Sequence, residues 1–327
     1  MKRIAALWMS VVVLVAACVG CAPEQKLTRI AIVSISKHPA FLALESAVTA
    51  QLSKLGYQNS QTARVECYSA ENQPAKAGQI IKKLAAEQAD LVIAVSSPVA
   101  MAALKYVNDV RLMFAAVTDP LSAGLCTNTQ RPDKNFTGTS DYVPVERILD
   151  LILHMLPESR RLGLLYNPTE RGSAVNMADT RAYCRTHDLE FEEAAVSNPG
   201  EAEEAAGTLL DCDAIFIPAD STVAAAMPAV ARLCVKAKLP CFVGTAPFVT
   251  EGALAGISVD FNELARETAV IADKLLRGAP AASIPVMQLN NYQTYVNMDT
   301  ARALGIVFSD AFLKEATTVT TKGGALL

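Results

Sequence analysis

Polar side chains follow most of the strand-like apolar runs in this sequence, and their types suit the binding of a small charged molecule. Hydroxyl and amide groups can donate hydrogen bonds to a carboxylate, and aspartates can accept them from an ammonium group. Ser96, Ser97 and Thr118 stand at predicted helix starts, so we expect them to receive a carboxylate. Asp220 or Asp260 is expected to meet an ammonium group, which predicts a site for a small zwitterion. The candidates are Ser36, His38, Ser96, Ser97, Thr118, Asp119, Asn167, Asp220, Ser221, Thr245 and Asp260.

Two other roles are open for the same residues. A serine or aspartate before a helix can cap it by accepting a backbone N–H of the first turn, and Ser97 and Ser221 are the strongest candidates for this. Asp119 and Asp220 could instead pair as general acid and base of an exported α/β enzyme, with His38 as a further base. The sequence has no G-x-G-x-x-G after a strand, no P-loop, no H-E-x-x-H and no G-x-S-x-G. Binding is therefore favoured over catalysis, and no cofactor is expected.

The elements that must position these residues alternate between strand and helix, which predicts βαβ units and mostly parallel sheet. Two such series follow one another, the second starting near residue 145, so we expect two α/β halves. A weak repeat between 89–97 and 212–221 supports this division. Ligands of open parallel sheets bind outside the carboxyl ends of the strands, where the candidates stand. A helix is predicted over 223–237, and strands over 30–35, 64–68, 91–95, 112–117, 162–166, 191–196, 214–217, 241–245 and 254–259.

Composition excludes several classes of protein. The chain has 327 residues, 51% of them apolar and 19% charged, with a formal net charge of −4. This length is sufficient for two domains with separate cores, and apolar residues recur too often for disorder. The balance of 29 basic and 33 acidic residues argues against a nucleic-acid partner. Three histidines without a cluster at ligand spacing argue against a metal site.

The N-terminus is typical of a bacterial lipoprotein signal. Lys2 and Arg3 precede an apolar run over 4–17, which is too short to span a bilayer. Small residues precede Cys18, so we expect 1–17 to be removed, Cys18 to carry lipid and 18–27 to form a tether. Cys21 is a second candidate for lipidation, and a plain secretory signal with an incidental cysteine is the alternative.

Seven segments resemble the solute-binding proteins of the ABC importer family that includes tryptophan- and tyrosine-binding members. The resemblance spans about residues 28–305, and V-T-D-P at 117–120 and Y-N-P at 166–168 are its more specific parts. It implies an α/β protein of the type I periplasmic-binding-protein class, in which two Rossmann-like lobes with parallel sheets are joined by a three-strand hinge. It also adds Ser140 and Asp141 to the candidate ligand-binding residues. The segments are ISKHP at 35–39, AVSSP at 94–98, AAVTDP at 115–120, GTSD at 138–141, LYNP at 165–168, PADST at 218–222 and GISVD at 256–260.

The same resemblance implies where the lobes divide. Lobe 1 is expected to comprise 28–141 plus 257–288, lobe 2 to comprise 142–256 plus 289–316, and 317–327 to be a flexible tail. Lys37 departs from the family, which commonly has an acidic residue before His-Pro, and this difference bears on ligand preference.

The expected function is that of a lipid-anchored, extracytoplasmic solute-binding component of an ABC importer, with an aromatic amino acid as ligand. The expected partners are the small-molecule ligand, an ABC permease and the membrane through the N-terminal lipid, and the protein is expected to be a monomer without a metal. A binding protein that feeds a membrane sensor would share every one of these sequence features, so that reading stays open.

Overall fold

The computed structural model describes residues 27–322. The predicted signal, both candidate lipidation cysteines and all of the predicted tether except its last residue lie outside the described residues. Within residues 27–322, no helix has the length and apolar character needed to cross a membrane.

The first sheet has six strands, and all of its pairs are parallel. Its strands are β1 Thr28–Ser34, β2 Ala63–Ser69, β3 Leu91–Val95, β4 Leu112–Ala115, β5 Thr137–Ser140 and β11 Met287–Gln288, in the order β11-β5-β4-β3-β1-β2. The central strand β3 is apolar and buried at every position, as a strand with both faces covered by helices must be.

The second sheet has seven strands, and only the pair β10–β12 is antiparallel. Its strands are β6 Arg161–Tyr166, β7 Glu190–Ala195, β8 Ala214–Ile217, β9 Cys241–Val243, β10 Ala255–Val259, β12 Tyr292–Asn297 and β13 Thr317–Val319, in the order β13-β12-β10-β9-β8-β6-β7. Two largely parallel α/β lobes, named lobe 1 and lobe 2 after these sheets, confirm the predicted fold class.

Helices connect the strands, and several begin where the sequence supplies a side-chain cap. The capping residues are His38, Asp220, Asp260 and Asn297, which precede the helices that begin at Pro39, Ser221, Phe261 and Met298. The helices are α1 Pro39–Lys54, α2 Pro74–Ala86, α3 Ser97–Ala103, α4 Val145–Met155, α5 Arg171–Thr186, α6 Ala202–Gly207, α7 Ser221–Ala224, α8 Met227–Ala237, α9 Ala246–Thr250, α10 Phe261–Leu276, α11 Met298–Leu304 and α12 Asp310–Glu315.

The chain crosses between the lobes three times. The first crossing lies between β5 and α4, and the second between β10 and α10, which packs against α1 of lobe 1. The third lies between β11, paired with β5, and β12, paired with β10. Three short segments therefore join two lobes whose strands end at a common cleft.

Two strands differ from the expected division. Residues 257–259 were expected in lobe 1, but all of β10 is bonded to β12 in the second sheet, and the chain leaves that sheet only after Val259, where the ladder ends. Residues 317–319 were expected in a flexible tail, but they pair with Tyr295–Asn297 as β13. Their β-branched side chains suit this edge position.

Apolar packing joins the lobes as well as filling them. One cluster lies within lobe 1 around Phe114 and Phe136, and another lies within lobe 2 around Ile215 and Val230. A third cluster contains buried residues of both sheets. The lobes are therefore in apolar contact in this structure.

Candidate ligand-binding cleft

The carboxyl ends of the strands of both sheets meet at one cleft. Lobe 1 contributes the residues after β3, β4 and β5 and the start of α1, and lobe 2 contributes those after β6, β8 and β9. The cleft is lined by Ala40, Phe41, Leu44, Ser96, Ser97, Ala116, Thr118, Asp141, Glu170, Gly172, Ser173, Ala219, Asp220, Ser221, Ala224, Thr245, Phe248 and Phe261.

Asp141 is the carboxyl group that lobe 1 brings to the cleft. It follows the last residue of β5, and its Oδ1 accepts the Thr118 hydroxyl at 3.1 Å. Burial raises the pKa of Asp141 to about 6, although the hydrogen bond from Thr118 acts in the opposite direction. An ionised Asp141 therefore gains from a cationic partner in the cleft.

Lobe 2 brings two more carboxyl groups, and these lie close to each other. Glu170 accepts the N–H groups of Ser221 and Thr222 at 3.0 and 2.8 Å, and the Thr222 hydroxyl at 2.7 Å. Burial, and next the charge of Asp220, raise the pKa of Glu170 to about 8. Burial also raises the pKa of Asp220. No Lys, Arg or His side chain of the described residues lines the cleft beside these two carboxyl groups, so nothing there offsets the cost of their burial.

The Asp220 carboxylate accepts hydrogen bonds from three backbone N–H groups. It is completely buried and accepts the N–H groups of Asn167 at 2.7 Å and of Thr222 and Val223 at 2.9 Å each. The capping role that the sequence left open for Asp220 is therefore present in the structure.

Two buried hydroxyls of the cleft lining, one from each lobe, have no hydrogen-bond partner among the described residues. Within residues 27–322, the Oγ atoms of Ser96 in lobe 1 and Ser173 in lobe 2 make no hydrogen bond. A buried hydroxyl without a partner is costly, which points to a group that the ligand supplies.

The backbone is strained beside these hydroxyls. Ser96 has φ +79° and ψ 157°, and Ala116, at the end of β4, has φ +51°. A positive φ is unfavourable for residues with a Cβ, and such strain collects at binding sites. Both residues line the cleft.

The lining lacks positive charge, and its largest side chains are aromatic. Phe41, Phe248 and Phe261 contribute aromatic rings, and no Lys, Arg or His of the described part of the chain lines the cleft. Three carboxyl groups and three aromatic rings therefore define its chemistry. It suits a ligand with a cationic group and a flat apolar part.

Gly172 lets the two lobes approach closely. It lies in the first turn of α5 in lobe 2, and a Cβ placed on it would lie 2.8 Å from the Cβ of Thr118 in lobe 1. Carbon atoms cannot pack that closely, so any side chain at 172 would separate the lobes.

Seven of the thirteen candidate ligand-binding residues line the cleft: Ser96, Ser97, Thr118, Asp141, Asp220, Ser221 and Thr245. The other six lie around the cleft and hydrogen-bond within the protein. Three of them accept backbone N–H groups: Ser36 from His38, Asp119 from Leu121 and Ser122, and Asp260 from Asn262 and Glu263. Ser140 donates a hydrogen bond to the Thr118 carbonyl, and Asn167 donates one to the Thr222 hydroxyl. The His38 side chain is hydrogen-bonded to Glu251. Lys37 is exposed and is absent from the lining.

Sequence reasoning missed Glu170, Ser173 and the three phenylalanines. Glu170 and Ser173 follow the Y-N-P segment by two and five residues, so continuing along that loop into the helix would have found them. The phenylalanines stand near helix starts, where an apolar residue looks like ordinary core. No group of three or more His, Cys, Asp or Glu side chains within residues 27–322 could hold a metal ion.

Two α/β lobes that enclose a polar and aromatic cleft define a binding protein of the type I periplasmic class. The family model described as "ABC transporter substrate binding protein" matches residues 29–320, and the chain belongs to that family. The resemblance in the sequence is thereby confirmed. The protein is the solute-binding component of an ABC transporter. The substrate-binding proteins of this family are extracytoplasmic and are not enzymes.

Three relatives are similar over most of their length. A tyrosine-binding protein of Clostridioides difficile (strain R20291) is 28% identical over 282 residues, which cover 86% of this chain and 82% of that protein. The structure of an ABC domain from Streptococcus pneumoniae in complex with L-Trp is 27% identical, with a TM-score of 0.85 and coverage of 90% of this chain and 100% of that chain. The ligand-free, open structure of a substrate-binding protein with adhesive properties from Clostridium difficile is 28% identical, with a TM-score of 0.69 and the same coverage.

Proposed function

We propose that the protein captures an aromatic α-amino acid in the cleft and delivers it to an ABC permease. The observation that carries this proposal is the lining of the cleft, where buried carboxyl groups and aromatic rings occur without a cationic side chain among the described residues. The relatives that bind tyrosine and L-Trp support the same ligand class.

The ammonium group is proposed to lie between Asp141 and Glu170. These residues belong to opposite lobes, so a cation between them is held only when the cleft is closed. Each has a raised pKa because it is buried without a cationic partner, and an ammonium group would supply that partner. Asp220 already accepts three backbone N–H groups and is proposed to act as a cap.

The carboxylate is proposed to accept hydrogen bonds from Ser96 and Ser173. Both hydroxyls are buried and unpaired within residues 27–322, so a ligand carboxylate would give each of them an acceptor. Ser173 lies in the first turn of α5, and this helix has no side-chain cap. A helix N-terminus with free N–H groups favours an anion.

The side chain of the ligand is proposed to pack among Phe41, Phe248 and Phe261. Aromatic rings gain both from burial and from edge-to-face contacts with one another. An aliphatic amino acid would obtain the burial without those contacts, so it should bind more weakly.

The arrangement of the lobes supports capture by closure. The structure matches the L-Trp complex with a TM-score of 0.85 and the ligand-free, open structure with 0.69, although identity and coverage are nearly equal. This difference favours a closed arrangement of the lobes here. A ligand that contacts both lobes stabilises that state over the open one.

The protein is further proposed to be a monomer attached to the membrane by lipid on Cys18. The support is the signal-like sequence over 1–17 and the small residues before Cys18. Anchoring would hold the cleft near the permease that receives the ligand.

Calorimetric titration of the signal-free protein tests the ligand class. L-tryptophan and L-tyrosine should bind, L-leucine should bind more weakly, and indole-3-propionate, which lacks the ammonium group, should lose about 2–5 kcal/mol. Equal affinity for indole-3-propionate and L-tryptophan would contradict the role of the carboxyl groups. Binding of L-leucine in preference to every aromatic amino acid would contradict the ligand class.

A further inference from the structure

A buried side-chain hydrogen bond connects the two lobes beside the cleft. Nε2 of His38 lies 2.9 Å from Oε1 and 3.0 Å from Oε2 of Glu251. His38 follows β1 of the first sheet and caps α1, whereas Glu251 follows α9, the helix after β9 of the second sheet. The pair therefore exists only while the lobes are together.

Both side chains are almost completely shielded from water, with 6% of each exposed. Within the described residues, His38 is the sole side chain that hydrogen-bonds the Glu251 carboxylate. A buried carboxylate without its partner is strongly unfavourable, because it has lost its hydration and gained nothing in return. Separation of the lobes would have to rehydrate both groups.

The other ring nitrogen of His38 fixes the direction of the bond. Nδ1 accepts the N–H of Ala40 at 3.3 Å, so the ring proton lies on Nε2 and is donated to Glu251. One side chain thus caps a helix of lobe 1 and donates to an acid of lobe 2.

The pair is adjacent to the cleft but is not part of its lining. The His38 ring contacts Phe41 and Phe248 edge to face, with 6.2 Å between ring centroids in each case. These two phenylalanines belong to different lobes and line the cleft, whereas His38 and Glu251 do not. The hydrogen bond between His38 and Glu251 can therefore act on the ligand through closure, by holding together the two aromatic walls.

We propose that His38 and Glu251 form an interlobe latch, which sets ligand affinity by slowing the opening of the cleft without contacting the ligand. The latch rests on the proposed function, since it needs a ligand that closes the lobes. His38 and Glu251 are on this view positioning residues.

The test uses His38→Asn, Glu251→Met and the double variant of the signal-free protein, with L-tryptophan as the probe; methionine has the shape of glutamate but no oxygen to accept the His38 N–H. Asparagine can still accept the Ala40 N–H but cannot reach Glu251, so it removes the latch and keeps the helix cap. Each single variant should weaken affinity about tenfold or more, almost entirely through a faster dissociation rate in stopped-flow measurements. The double variant should be no weaker than the weaker single variant, because the pair acts as one unit.

Ligand-free stability separates a latch from a structural role. A latch that forms only on closure leaves the melting temperature of the ligand-free variants unchanged, whereas a contact needed within one lobe would lower it. His154→Gln is the matched control, because His154 is exposed on α4 and stacks on Phe312 of α12, away from the cleft lining.

Three results would overturn the latch. They are parental dissociation rates in the single variants, multiplicative losses in the double variant, and lowered melting temperatures of the ligand-free variants. A parent protein that binds none of the twenty common amino acids would contradict the proposed function, and the latch with it. The two failures are therefore distinguishable.

Discussion

At the scale of single residues, aspartates in similar sequence positions have different surroundings. Asp220 and Asp260 both stand before helices, and both accept backbone N–H groups of the first turn. Asp141 follows a strand in the same way, but a single hydroxyl donates to it from another element, and its carboxyl group faces the cleft. Asp141 therefore lies where a ligand can reach it, whereas Asp260 is absent from the lining and Asp220 already accepts three backbone N–H groups.

Neutralising the carboxyl groups of the cleft should weaken amino-acid binding. We expect Asp141→Asn and Glu170→Gln each to cost about 2–5 kcal/mol of binding free energy, because each leaves the ammonium group poorly paired. Asp119→Asn is the control, because Asp119 is absent from the lining. Calorimetric titration with L-tryptophan measures the three variants, and parental affinity in both cleft variants would refute the ammonium site.

Binding should weaken as the pH falls. Protons and the ligand ammonium group compete for carboxylates with pKa values of about 6 at Asp141 and about 8 at Glu170, so binding releases protons. Between pH 8 and pH 5 we expect at least about a tenfold loss of affinity, since pH 5 lies one unit below the lower value. Titrations across this range give the slope, which should be smaller in the Asp141→Asn variant; a flat parental profile would be inconsistent with ionised partners.

Lipid attachment should depend on the sulfur of Cys18. Cys18→Ser removes the thiol that would carry the lipid, so fatty-acid label should disappear from the protein during growth with a labelled fatty acid. Undiminished label in this variant would move the site to Cys21, and the Cys21→Ser variant is the matched control.

At the scale of elements, the first turn of α5 decides how far the lobes can close. Gly172→Ala should lower ligand affinity, because the new Cβ would lie 2.8 Å from the Cβ of Thr118 in the closed state. The ligand-free protein should instead gain about 0.5–1 kcal/mol of stability, since alanine favours a helix more than glycine does. Titration with L-tryptophan and thermal unfolding measure the two effects.

Gly207→Ala is the matched control for this substitution. Gly207 ends α6, and a Cβ there would have no neighbour within 4 Å. This variant should keep the parental affinity. If Gly172→Ala also binds normally, the contact with Thr118 does not limit closure.

The pattern of apolar residues did not predict every boundary of the helices or every pairing of the strands. The helix predicted over 223–237 is divided into α7 and α8. Pro228 has no N–H to donate to the carbonyl of Ala224, so the helix restarts at Met227. Strand β10 ends where expected, but its pairing with β12 assigns it to lobe 2.

At the scale of the whole molecule, ligand binding should be visible as closure. Small-angle scattering should show compaction when L-tryptophan is added, because the ligand contacts both lobes in the closed state. At about 100 times the dissociation constant, the free energy of unfolding should rise by about 2.7 kcal/mol. Neither compaction nor a melting shift with any common amino acid would contradict an amino-acid ligand.

The sequence by itself predicted the two α/β halves and seven of the residues that line the cleft, Asp141 among them only through the family resemblance. These follow from local rules, since buried strands are apolar throughout and parallel sheets bind ligands beyond their carboxyl ends. Tertiary structure decided which polar residues were already used. Asp260 is occupied by its own helix, whereas the hydroxyl of Ser96 is left without a partner among the described residues.

The contacts between the lobes could not be predicted from the sequence either. His38 and Glu251 are 213 residues apart, and Gly172 meets Thr118 across the cleft. Neither pair has a spacing that marks it, because the distance between lobes depends on how both pack at the hinge. Which side chains a cleft brings together is a property of that packing, and residue order along the chain does not encode it locally.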